Sequence, residues 1–282
     1  MRANFCLAGI ALAALAGLVA PARADVWSKS FPLTGKPQLT LHAGDGTVTI
    51  LARDQNQIDA HVTTTGWRIG SQVKIDEQQT GNAVEITIRV PHFNFNFFPR
   101  ERSIHVELDV PRHADLNIYS GDGAISCDPV SGTIVLDSGD GAISAQGLSG
   151  TLRLHSGDGS IQALGLDGSV DASSGDGRIV VHGRFDSLDL HSGDGSIEAE
   201  ASPGSKIATS WSVHTGDGSI HLLLPADFAA DLDAHTGDGR ITLDFPVTVS
   251  GALNRSAVRG KLNGGGGQLL LRSGDGSIHI EK

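Results

Sequence analysis

The chain has 282 residues, a formal net charge of −11 and only two cysteines. Thirty-two carboxylates against 21 Lys and Arg give a surface that repels nucleic acid and anionic lipid. Glycine stands at 37 positions, an excess that asks for regularly repeated tight turns.

The first 24 residues carry Arg2, then an apolar run from Phe5 to Ala20, then Ala22-Arg23-Ala24 just before Asp25. That order is that of a secretory signal peptide, and no later stretch approaches the roughly 20 apolar residues of a membrane span. The expectation is export, to the periplasm or to the cell surface. Cleavage after Ala24 would remove Arg2, Arg23 and no acid, so the formal charge would become −13. It would also leave Cys127 with no cysteine to pair with.

The N-terminal capping region, residues 25–105, and its continuation to residue 110 hold alternating apolar runs, Gln38 to Ala43, Thr47 to Leu51, Ile58 to Thr63, Val84 to Val90 and Ile104 to Val110. Apolar residues at period two mark strands with one buried face. These strands are expected to open the sheets that follow and to cap their first coil. The same region contains His92-Phe93-Asn94-Phe95-Asn96-Phe97-Phe98-Pro99. Phe93, Phe95, Phe97 and Phe98 either seal an end of the fold or form an interaction patch for a partner or a lipid.

From residue 106 to 282 the chain is repetitive. Gly-Asp-Gly occurs nine times in all, centred on Asp45, Asp122, Asp140, Asp158, Asp176, Asp194, Asp217, Asp238 and Asp275. The interval is 18 residues from Asp122 to Asp194 and then 23, 21 and 37, so the later units carry insertions. Each unit splits into two related halves, as in SGDGSIQAL followed by GLDGSVDAS, and each half reads as a turn and a short strand. Three residues after each aspartate of this region comes an isoleucine, in order Ile125, Ile143, Ile161, Ile179, Ile197, Ile220, Ile241 and Ile278. Strands this short bury an apolar face only by stacking, about 4.8 Å apart, so that like side chains form columns. The predicted fold is all-β, a parallel β-solenoid with coils of about 18 residues and two short strands per coil, preceded by the N-terminal strand cap. Glycine is expected at the corners because a reversal within a few residues requires positive φ. Val247 to Gln268, with Gly264 to Gly267, reads as a loop before a last strand pair that ends the solenoid at Ile280.

The segments VELDVPRHADLNIYSGDGAISCD, from Val106, and GKLNGGGGQLLLRSGDGSIHIEK, from Gly260, resemble the bacterial putative-adhesin family of β-solenoids. The likeness rests on a valine-proline step, repeated Ser-Gly-(Asn/Asp)-Gly-x-Ile units and a glycine-rich segment before a closing strand. It implies an envelope or surface protein without enzymatic activity, and it carries over no catalytic residues. The phenylalanine run is a departure from the family pattern.

Among chemical readings, the aspartate ladder comes first. Asp122, Asp140, Asp158, Asp176, Asp194, Asp217 and Asp238 would stack at equivalent corners, either accepting hydrogen bonds from their own turns or holding calcium. The calcium-binding β-roll repeat sets its Asp two residues before the buried apolar residue, whereas here the interval is three, so a structural role is expected and no cofactor is required. His42, His155, His191, His214 and His235 should point outward, the last three on consecutive coils. Asp137-Ser138-Gly139 imitates an aspartic-protease triplet, but equivalent positions hold Tyr119, His155, Ser173 and Arg272, so Asp137 has no special environment. Nothing in the repeat singles out the two unlike carboxylates a glycosidase needs. The function expected is therefore a non-catalytic, adhesin-like module that presents a repetitive acidic surface to an envelope component, a glycan or a protein, with a calcium-binding extracellular module as the alternative.

Overall fold

The computed structural model describes residues 24–90 and 102–282; residues 1–23 of the expected signal peptide 1–24 and the phenylalanine run lie outside the described residues. Among the described residues there are 23 strands and no helix. The N-terminal strands are β1 (Ala24–Pro32), β2 (Gln38–His42), β3 (Thr47–Arg53), β4 (Gln57–Thr65), β5 (Lys74–Thr80), β6 (Ala83–Arg89) and β7 (Ser103–Pro111). The repeats supply β8 (Asp115–Ser120), β9 (Ile125–Cys127), β10 (Ser131–Ser138), β11 (Ile143–Gln146), β12 (Ser149–Ser156), β13 (Ile161–Ser174), β14 (Ile179–Ser192), β15 (Ile197–Ala201), β16 (Ser210–Thr215) and β17 (Ile220–Leu223). Six more close the chain: β18 (Ala230–Thr236), β19 (Ile241–Leu243), β20 (Val247–Leu253), β21 (Ala257–Leu262), β22 (Gly267–Ser273) and β23 (Ile278–Glu281).

The pairings fall into two files. One runs β1, β4, β7, β3, β9, β11, β13, β14, β15, β17, β23, β19. The other runs β5, β6, β2, β8, β10, β12, β13, β14, β16, β22, β18, β21, β20. β13 and β14, fourteen residues each, pass through both. Pairing between neighbouring repeats is parallel and in register, so Ile125, Ile143, Ile161, Ile179 and Ile197 stand opposite one another, followed by Ile220, Ile278 and Ile241. Opposite lies a second column, Leu116, Ile134, Leu152, Val170, Leu188 and Trp211. Apart from half-buried Ile241, both columns belong to one continuous buried core, each large side chain contributing about 1.5–3 kcal/mol by leaving water.

The ends depart from the sequence reading. β22 and β23 do not terminate the stack: they lie between the β16–β17 coil and the β18–β19 coil. Val247 to Leu262, expected as loop, forms β20 and β21, with β21 antiparallel to β18. The connection is structured because β18 would otherwise leave its edge open. The N-terminal end is wired alike, with β2 and β3 between β6–β7 and β8–β9 and with β4 and β5 running antiparallel outside. Sequence alternation did not show β1 and β5, since most of their side chains are solvent-exposed on both faces.

The corners also differ from expectation. Positive φ occurs at Gly44 and at several second-corner glycines such as Gly147 and Gly165, but at no other Gly-Asp-Gly corner. There the requirement is steric: a Cβ on Gly141, Gly159 or Gly177 would fall on the backbone carbonyl of the equivalent glycine one coil away.

Candidate functional site

A concavity lies on the outward face at the N-terminal end of the stack, where the edge strand β5 stands beside β6, β2, β8 and β10. Because side chains alternate along each strand, the in-register pairings align outward polar groups into rows across the strands. One row is Gln78, Glu85, Thr40 and Asn117. The next is Thr80, Ala83, Gln38 and Asp115, continued by Thr133. Together they form a groove of 470 Å³, within the size range of small-ligand sites.

The groove is lined by amides, hydroxyls and two carboxylates. Asp115 accepts from Lys36 Nζ at 2.6 Å and from the Thr133 N–H at 2.8 Å. Burial raises its pKa, but these hydrogen bonds and the Lys36 charge outweigh it and hold the carboxyl below the ordinary 3.8. Glu85 has no such partner among the described residues. The arrangement can donate and accept hydrogen bonds at regular intervals along an extended polar molecule. A second concavity of 410 Å³, near Lys36, Arg53 and Arg112, is less open to a ligand charge, because these cations are engaged by Asp115, Asp109 and Asp54.

The residues singled out in the sequence are placed as follows. Phe93, Phe95, Phe97 and Phe98 lie outside the described residues, in the segment that joins Val90 to Arg102. Asp122, Asp140, Asp158, Asp176, Asp194, Asp217 and Asp238 are exposed at the corners. Among the described residues no hydrogen bond or ion pair reaches their carboxylates, so the expected bond from the turn to its own aspartate is not made. Nor do three His, Cys, Asp or Glu side chains converge among the described residues as a metal site would require.

The histidines do point outward, but they do not form a run of three. His191 stacks on His214 with centroids 5.1 Å apart, and Arg272 then takes the place next to His214, separating it from His235. The interruption follows from the wedged β22, which the repeat spacing gave no hint of. Burial chiefly, then the charges of His191 and Arg272, lower the His214 pKa. Burial likewise pushes the Cys127 thiol up to about 12, with Asp128 adding to the effect.

What holds the corners, apart from the one at Asp45 where Ala43 stands, is the Ser or Thr that precedes Gly-Asp-Gly. Ser156 Oγ donates to the Gly141 carbonyl of the previous coil at 2.9 Å and accepts the Gly159 N–H of its own corner at 3.0 Å. Ser138, Ser174, Ser192 and Thr215 repeat both bonds, and all are buried. Ser138, the serine of the protease-like triplet, thus has its hydroxyl fully committed to the fold. The signal was present in the sequence as the Ser or Thr three residues before the second glycine of every Gly-Asp-Gly but the first. The groove, by contrast, gave none, because it depends on β5 and on a strand order that no spacing encodes.

Residues 37–281 match the family model Toastrack DUF4097, and the chain belongs to that family. No curated protein matches it. Among solved structures, it is similar to a putative cell adhesion protein from Clostridium sporogenes ATCC 15579 at 12% identity and TM-score 0.33, covering 92% of this chain and 99% of that one. A putative adhesin from Bacteroides fragilis NCTC 9343 gives 10% identity, TM-score 0.38 and coverage of 91% and 96%. A putative lipid binding protein from Parabacteroides distasonis ATCC 8503 gives 10%, 0.32, 93% and 98%. At such scores these likenesses carry no argument about fold or function.

Proposed function

We propose that this Toastrack protein is an exported, non-catalytic, adhesin-like binding module, a rigid β-solenoid whose N-terminal groove holds an extended glycan of the cell envelope. The observation that carries the reading is the pair of polar rows on β5, β6, β2 and β8, which offer amide, hydroxyl and carboxylate groups at the strand spacing. A polymer of hydroxylated units meets such rows with hydrogen bonds at each rung, and a stack of short parallel strands keeps the rungs rigid, so little ordering is lost on binding. An acidic chain selects against anionic partners, which favours neutral or cationic envelope glycans.

The test is titration of the chain without residues 1–24 against soluble neutral and cationic polysaccharides, followed calorimetrically. Asn117→Ala and Gln78→Ala, both on the outward face, are expected to weaken binding about tenfold each while leaving the melting temperature unchanged, the cost of hydrogen bonds lost to a ligand. Binding that survives both substitutions, or that tracks the C-terminal end instead, overturns the groove as the site.

A further inference from the structure

The repeat is built on Asp-Gly bonds, the most prone of aspartyl bonds to cyclise. The backbone nitrogen of the glycine attacks Cγ of the aspartate, the carboxyl oxygen leaves as water, and a succinimide forms. Water then reopens the ring at either carbonyl, giving back aspartate or yielding isoaspartate, in which the main chain runs through the side-chain carbon. No oxidant or cofactor enters. Glycine permits the attack because it has no Cβ to obstruct it, and these aspartates are exposed with no hydrogen bond or ion pair on their carboxylates among the described residues.

The chain has ten Asp-Gly bonds, nine at these corners and one at Asp167–Gly168, whose carboxylate is held by Arg184; the nine free corner carboxylates would be a liability unless the attacking nitrogen were restrained. At Gly141, Gly159, Gly177, Gly195, Gly218 and Gly239 the N–H donates to the hydroxyl of the Ser or Thr three residues earlier, over 3.0–3.3 Å. At Gly46 it donates to the Ala43 carbonyl at 3.1 Å. To reach Cγ the amide must give up that bond inside a corner where its acceptor is itself fixed by a second bond to the neighbouring coil. Two corners lack the latch. Ser120 and Ser273 each donate to the adjacent coil, to Gly46 and Gly218, but the Gly123 and Gly276 N–H groups have no acceptor among the described residues.

We infer that the Ser/Thr hydroxyl ladder is a chemical guard against aspartyl cyclisation, and that Asp122–Gly123 and Asp275–Gly276 are the sites at which isoaspartate forms in this protein. Both lie at the rewired ends: β8–β9 adjoins the N-terminal wedge β2–β3, and β22–β23 is the C-terminal wedge itself. The rearranged backbone is one atom longer at a corner where glycine backbones of successive coils already touch, so the modification would loosen the stack near its ends first.

The experiment incubates the intact purified chain in neutral buffer and maps isoaspartate by peptide mass spectrometry with fragmentation that distinguishes the two isomers. Expected is accumulation at Asp122 and Asp275 about fivefold faster than at Asp140, Asp158, Asp176 and Asp194, the rate factor of one hydrogen bond. Ser156→Ala should raise the rate at Asp158 by a similar factor and leave Asp194 unchanged, while Ser156→Thr should raise neither. Equal rates at all corners of the unaltered protein overturn the inference, with no variant needed. So does a Ser156→Ala protein in which Asp158 ages no faster, or more slowly, than before. General acceleration at every corner of that variant would report loss of fold, in which case the unaltered protein and the threonine variant decide.

Discussion

Between Ile125 and Ala201 each coil lies directly on the one that precedes it in sequence, whereas at both ends the chain skips a place and returns. In the middle, every strand has like neighbours on both sides, and one rule of spacing suffices. At an end that rule would leave raw strand edges and a terminal coil free to peel away. Both ends meet this in the same manner: one coil is laid outside, antiparallel strands run over it, and another coil is wedged beneath. β2–β3 is the wedge at the N-terminal end, β22–β23 at the other. The lesson is that repetition extends the stack, while departure from repetition closes it.

The most severe way to break the comparison is to remove the wedge. Without residues 267–282, β18 and β19 lose their parallel partners, so hydrogen exchange should show loss of protection throughout 230–262 as well. In a stack whose chain order matched its spatial order, such a deletion would strip only one coil; retained protection across 230–262 would therefore sink the wedge. Next in size is the core column. Ile161→Ala, in the fully buried middle, should cost about 2–5 kcal/mol in denaturant unfolding. The same change at Ile241, half-buried on the outermost coil, should cost clearly less. Equal losses would mean that end and middle are not energetically distinct.

Ser156→Ala removes one donor and one acceptor, leaving the buried Gly141 carbonyl and Gly159 N–H unsatisfied, and should destabilise by about 1–3 kcal/mol. Threonine at that place should be tolerated, as it is at Thr215 and Thr236. A calorimetric melt of the two variants checks the ranking. Smaller again is the response to acid. Asp59 and Asp115, both in the N-terminal portion, have pKa values below the ordinary 3.8: burial raises each, but hydrogen bonds from Ser30, Gln57 and Gln55 to Asp59, and from Lys36 and Thr133 to Asp115, outweigh it. Carboxylates with depressed folded values stabilise above 3.8 and lose that contribution as pH falls through the lower folded value. Hydrogen exchange at decreasing pH should thus show β4 and β8 loosening before β15 and β17.

How much of this was legible in the sequence divides along the same line. Columns such as Ile143, Ile161 and Ile179 could be read directly, because equal spacing and a buried face leave one register. Corner glycines were found, but the expected positive φ holds only at Gly44 and at second-corner glycines such as Gly147 and Gly165, whereas at the other Gly-Asp-Gly corners crowding between coils is what forbids a side chain. Strand order at the ends was invisible, since Gly267–Ser273 has the same alternation wherever it is inserted. The groove went unseen for the same cause, its wall being β5, a polar strand with little apolar signal.

The smallest expected effect concerns the aspartates themselves. They stand at the spacing of the coils, exposed, with no hydrogen bond on their carboxylates among the described residues, so each carboxylate meets like charges on neighbouring coils and little else. Water and salt screen charges that can fan apart, which makes the repulsion weak rather than absent. Asp158→Asn in the middle of the ladder should accordingly raise the melting temperature slightly at low ionic strength and not at all at high salt. Asp238→Asn, nearer an end and with fewer charged neighbours, should do less. Were calcium bridging the ladder, both signs would reverse: neutralising a ligand would destabilise, a chelator would lower the melting temperature, and the middle would suffer more than the end. Melts with and without chelator, at two salt concentrations, separate a ladder of solvated charges from a ladder of ligands.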